Sequence, residues 1–91
     1  MRKVEFEWDP NKAERNWRKH TIKFEMAIKV FLDPWRIEEV QEDDDDGIRL
    51  NVLGIVEGNV LHLTYTVRGD VYRIISARPA ERHERRLYHE G

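Results

Sequence analysis

The sequence predicts an α+β fold, with an antiparallel sheet packed on helices in the order β-α-α-β-β-β-α. Three observations predict it. Short segments with period-two apolar alternation mark half-buried strands, most clearly "VEFEW" and Val60–Val67. A segment with apolar residues at i, i+3, i+4 and i+7, Phe24–Phe31, marks a helix before the main strand block, and Pro79 opens another after it. The links inside that block, "EGN" and "RGD", are short enough only for hairpins. At 91 residues the chain forms one domain, 1–91, with one modest core.

The first strand is Val4–Trp8. Asp9 then suits a helix N-cap and Pro10 the first helical position, so a helix runs to about Lys19. Ala13, Asn16, Trp17 and His20 fall on one side of it, and Lys12, Arg15 and Lys19 on the other. A second helix covers Phe24–Phe31, with Phe24, Ala27, Ile28 and Phe31 as its apolar stripe, and Asp33-Pro34 stops it. "WRIEEV" is a candidate short edge strand, whose charges discourage stray strand pairing. Arg49–Val56, Val60–Val67 and Val71–Ala77 then form a meander. In its middle strand Leu61, Leu63, Tyr65 and Val67 make an apolar face for helices, while His62, Thr64 and Thr66 make a polar face open to solvent. Pro79 opens a final helix from Ala80 to about His89.

Composition excludes several classes. With no cysteine there is no disulfide framework and no thiolate zinc site. No apolar stretch approaches a membrane span, and "MRKVEFEWDP" lacks a signal-peptide apolar region, so the expected setting is cytoplasmic, without a membrane partner. Residues 38–46, "EEVQEDDDD", hold seven acidic groups. Without them the formal net charge of −2 becomes +5. One acidic strip masks a basic domain, and such segregation speaks to partners more than the net value does. "EDDDDG" resembles a calcium loop at only three positions and has Leu53 where a bidentate Glu is needed, so no metal site is assigned. G-x-S-x-G, P-loop, H-E-x-x-H and G-x-G-x-x-G motifs are all missing, and no cofactor is implied.

The chemistry-bearing stretch is "RIISARPAERHERRLY", Arg73–Tyr88. On a helical projection Ala80, His83, Glu84, Leu87 and Tyr88 face inward, and Arg82, Arg85, Arg86 and His89 face outward. Glu84 is the odd residue among apolar neighbours and needs a cation, either Arg73 or Arg78. Such a pair would either pin the helix to the sheet or belong to an acid/base and anion-binding cluster. The Lys12, Arg15, Lys19 stripe is explained by solubility alone, or by a polyanion. His20 ends the same helix, where it would complement the helix dipole or move protons near neutral pH.

The pattern "FEWDPNKAERNWRKH…FEMAIKVFLDP…RIISARPAERHERRLY" resembles the BrnT family of bacterial toxins over nearly the whole chain. Trp8, Lys12, Asn16, Lys19-His20, Phe24, Ala27, Phe31, Asp33, Arg73, Ile75–Arg78, Ala80, Glu84 and Tyr88 carry the resemblance. Three positions depart from the usual pattern. Thr21 stands where Gly commonly follows "KH", Lys23 where Ser usually caps the second helix, and Pro79 where Lys is common, which removes one positive charge.

The resemblance implies a RelE-like fold and a ribonuclease toxin of a type II toxin–antitoxin system. Its partner would be a BrnA-like antitoxin that dimerises and binds operon DNA, with the toxin reaching that DNA only through the antitoxin. Metal-independent RNA cleavage needs a base for the 2′-OH, cations for the phosphorane and an acid for the 5′-oxygen. Arg73 and Arg78 are the expected phosphate ligands, since arginine is a fixed, permanently charged fork of donors. Glu84, Tyr88 and His20 are candidates for proton transfer or substrate positioning. Lys12, Lys19, Arg49, Arg82 and Arg85 are expected to hold RNA backbone. Two other classes fit the same residues: a non-catalytic nucleic-acid- or antitoxin-binding module, and a degenerate toxin kept for operon control.

Overall fold

The computed structural model describes residues 4–44 and 47–91, with the side chains of 42–44 left aside. The acidic loop read from "EDDDDG" therefore lies largely outside the described residues. Five strands and three helical segments are described: β1 (Glu5–Trp8), α1 (Pro10–His20), α2 (Phe24–Ala27) running on as a 3-10 turn (Ile28–Leu32), β2 (Ile37–Asp44), β3 (Gly47–Val56), β4 (Asn59–Arg68), β5 (Val71–Pro79) and α3 (Arg82–Glu90). The strands form one sheet in the order β1-β5-β4-β3-β2.

The α+β class holds, with corrections to the expected order. The sheet is mixed, because β1 lies parallel to β5 while the other pairs are antiparallel. "WRIEEV" leads into a full eight-residue edge strand, so a four-strand meander follows the helices. Ala80 and Glu81 precede the last helix, and Pro79 ends β5 instead of starting α3.

Local chemistry explains the elements. Asp9 caps α1 by accepting the Asn11 N–H at 2.8 Å, and Pro10 follows at the first position. Glu57 and Gly58 turn the β3–β4 hairpin, both with positive φ, as a two-residue turn with matching twist requires. The apolar sheet face packs on α2 and its 3-10 extension through Phe24, Ala27, Val30, Val52, Leu63, Tyr65, Ile74 and Ala77. Gly54 permits that packing, since a Cβ there would lie 2.8 Å from the Val30 Cβ.

The other sheet face is only partly open. At its β3–β4 end Leu53, Val60 and Ala80 form a second small core with Tyr88 of α3. The helix is short, so the expected inward half is only partly met: Leu87 remains 54% exposed, and His83 is exposed.

Two residues fix α1 where it matters. Buried Asn16 donates to the Ile22 carbonyl and accepts the Ala77 N–H, both at 3.0 Å. It reaches Ala77 just past Trp8 and Ile74, the last paired residues of β1 and β5. Thr21 ends α1 in the left-handed region, at φ 57° and ψ 38°, where a β-branched side chain is strained. Thr21→Gly is accordingly expected to raise stability by about 1 kcal/mol, or roughly 4–8 °C in melting midpoint. An unchanged or lower midpoint would show that the Thr21 Cβ carries no strain.

Candidate nucleic-acid interface

The strand register sets three rows across the open sheet face. Glu7, Arg73, Thr66 and Arg49 form the first row. Ser76, Thr64, Asn51 and Glu39 form the second, and Arg78, His62, Leu53 and Ile37 the third. A bulge at Ile75 makes this possible, because Tyr65 pairs with Ile74 but Thr64 pairs with Ser76. Without that extra residue, Arg73 and Arg78 would fall on opposite faces of the sheet.

Arg78 is a tightly constrained cation. Its two terminal nitrogens donate to the two Glu84 oxygens at 2.7 and 2.9 Å, a bidentate pair. Glu84 also accepts the Glu81 N–H at 2.8 Å and closes a capping box at the start of α3. The hydrogen bonds from Arg78 outweigh burial and hold the Glu84 carboxyl down at about 2. A carboxylate so engaged is a poor proton carrier near neutral pH and a good clamp. Of the two partners open to Glu84, the structure selects Arg78.

Two histidines feel the Arg78 charge. His62 Nε2 lies 3.8 Å from a Glu84 oxygen, and burial, then the Arg78 charge, lower its pKa against the attraction of Glu84. His20 is lowered by burial, then by Lys19, then by Arg78. Both imidazoles are therefore neutral at neutral pH. His62 was not singled out from sequence. Its signal is its place opposite Arg78, which only the bulged register reveals.

Arg73 takes Glu7 instead, at 2.6 Å, with both side chains about half exposed. Such a surface pair is weak and free to exchange for phosphate. Arg73 lines a 440 Å³ cleft with Lys12, Arg49, Thr66 and Arg68. A neighbouring 310 Å³ opening is lined by Lys19, His20 and Ser76, and shares Lys12 and Ile75 with the first. Together they make a continuous cationic surface from β3 across β5 to α1.

The remaining candidates lie elsewhere. Tyr88 donates its hydroxyl to Asp33 and lines a different cleft, beside Pro34 and Trp35. Burial, then that bond, raise its pKa to about 12. Arg85 donates to the Ala80 carbonyl at 2.7 Å, and Arg82 is exposed on α3. Neither lines the two cationic clefts.

A family model described as "Ribonuclease toxin, BrnT, of type II toxin-antitoxin system" matches residues 8–84. That span takes in Lys12, Lys19, His20, Arg73, Arg78 and Glu84, and stops short of Arg85 and Tyr88. The chain has no significant match among curated proteins.

Proposed function

Since the chain belongs to the BrnT family of ribonuclease toxins of type II toxin–antitoxin systems, we propose that it is a metal-independent endoribonuclease with a RelE-like fold. It would act on cytoplasmic RNA, inhibit translation and growth, and be neutralised by a BrnA-like antitoxin that carries it to operator DNA. The observation that carries this reading is Arg78. The Arg78 guanidinium, clamped by Glu84, lies across the β4–β5 ladder from His62 and two residues along β5 from Ser76 of the cationic opening, and its charge lowers the pKa of both His62 and His20.

The arrangement supports a division of labour. Lys12, Lys19, Arg49 and Arg73 hold the RNA backbone, with Arg82 and Arg85 as outlying contacts. Arg78 takes the charge that builds on the phosphorane, the role a metal fills in other nucleases. Glu84 orients Arg78. His20, neutral at working pH, accepts the 2′-OH proton as the 2′-oxygen attacks phosphorus. The P–O5′ bond breaks as the 2′-oxygen bonds to phosphorus, and the departing 5′-oxygen takes a proton from solvent water, which leaves a 2′,3′-cyclic phosphate and a 5′-hydroxyl end. Tyr88 positions α3 through Asp33.

The test is in vitro cleavage with mapping of RNA ends. Cleavage should leave cyclic phosphate ends, persist in excess chelator and spare DNA, which lacks the attacking hydroxyl. Loss in chelator that a divalent ion restores would overturn the metal-free step. The engagement of Arg78 by Glu84 also favours a second reading, a non-catalytic module in which the pair is purely structural. Undiminished growth and unaltered RNA ends after induction would establish that reading instead.

A further inference from the structure

A cleft of 210 Å³ separates α3 from the β2–β4 side of the open face, and Glu39, Asn51, Leu53, His62, Glu84 and Leu87 line it. Its volume lies below the roughly 300–1,000 Å³ of drug-sized sites and suits one flat ring system. Leu53 and Leu87 give it apolar walls. Leu87 is 54% exposed and has no place in either core cluster, so its exposure is unexplained by folding.

The polar groups are specific. Glu39 and Asn51 are direct cross-strand partners, which puts their Cβ atoms about 5 Å apart. The Thr64 hydroxyl donates to Asn51 Oδ1 at 2.8 Å, which leaves Asn51 Nδ2 as the donor. The Glu39 carboxylate has no hydrogen bond or ion pair among the described residues. One donor beside a two-oxygen acceptor complements a base edge with one acceptor beside two donors. Guanine has that edge, in O6, N1–H and the N2 amino group. Adenine, cytosine and uracil each set a lone-pair acceptor against the carboxylate.

Charge fixes the direction of approach. The cations lie toward β5 and α1, and the Glu39 carboxylate lies on β2 at the opposite side of the face. A phosphate backbone stays over Arg73 and Lys12, and a base splayed from it points toward Glu39. We propose that this cleft is a single-base pocket selecting guanine next to the cleaved phosphate, with Glu39 as the selecting group. The proposal takes its substrate class from the ribonuclease reading.

The test uses the purified chain and short single-stranded RNAs that differ at one base. Binding is measured on 2′-O-methyl versions, which cannot be cleaved, and cleavage on unmodified ones. Guanine at one fixed position should improve both by about tenfold or more over adenine, the discrimination expected of one bidentate base contact. Inosine, which lacks the N2 amino group, should lose most of that gain. Glu39→Gln should flatten the guanine preference and leave the adenine RNA nearly unaffected. Equal use of all four bases by the unmodified chain, or a guanine preference that survives Glu39→Gln, would overturn the pocket. Guanine-selective binding without cleavage would keep the pocket and remove the nuclease. Cleavage without base preference would do the reverse.

Discussion

Arg78→Ala is expected to reduce RNA cleavage by about 10²- to 10³-fold, the usual cost of removing one preorganised transition-state donor. Growth arrest on induction should disappear with it, while the folded chain still binds antitoxin. A second effect reads the charge of Arg78 directly. The Arg78 charge is one cause of the lowered pKa of both His20 and His62. In the variant both imidazoles should titrate closer to 6.5, as followed by their NMR shifts. As pH falls, a base that must be neutral is then protonated sooner, so the acid limb of any residual rate moves to higher pH. In the wild type Glu84 does not account for an acid limb, since its carboxyl stays ionised down to about 2; in the variant the histidine NMR titrations assign the limb, because the Arg78 bonds that hold Glu84 down are gone. Glu84→Gln keeps the size but loosens the clamp, and should cost less than loss of Arg78 itself. Wild-type cleavage by Arg78→Ala would remove this residue from the chemistry. Unchanged histidine titrations would break the proposed electrostatic link.

How much of this was legible in the sequence depended on the range of each interaction. Helix α1 was readable to within a residue, because Asp9, Pro10 and the apolar spacing act locally. The β3–β4–β5 meander was readable for the same reason, from its turn residues. The parallel placement of β1 against β5 was not, because a long-range pairing leaves no local trace. The Ile75 bulge was equally invisible, and with it the alignment of Arg78 with His62. Glu84 stood out as a carboxylate on the wrong side of its helix. Which arginine it would choose required the fold. Asp33 was legible only as a helix stop, although three segments converge on it.

Asp33 carries the largest expected effect on stability. Its side chain is buried and accepts the Trp35 N–H at 2.9 Å, the Ile55 N–H at 2.8 Å and the Tyr88 hydroxyl. Ile55 lies beyond the Ile37–Leu53 pair that ends the β2–β3 ladder, and Asp33 satisfies its N–H there. Tyr88 is the link that ties α3 to this point. Asp33→Ala strands these donors at about 1–3 kcal/mol each when buried, a total on the order of 3 kcal/mol or more. That is a large part of the roughly 5–15 kcal/mol of a typical domain, and should lower the melting midpoint by roughly 10–20 °C. Tyr88→Phe removes one donor, leaves Asp33 satisfied by two others, and should cost much less. The pH dependence has a definite sign. Burial works against the Asp33 charge, but its hydrogen bonds and Arg36 prevail and lower its pKa below 3.8. Its contribution is complete above 3.8 and lost as pH falls through the lower folded value. Tyr88 is raised from 10.0 to about 12, so its contribution is complete below 10 and lost as pH rises through about 12. The gap in urea midpoint between wild type and Asp33→Ala should be constant between these limits and narrow outside them. Release of α3 also frees Glu84, so the variant should cleave poorly even where it remains folded. A wild-type midpoint for Asp33→Ala at neutral pH would show that α3 is held by the small core around Leu53 and Ala80 alone.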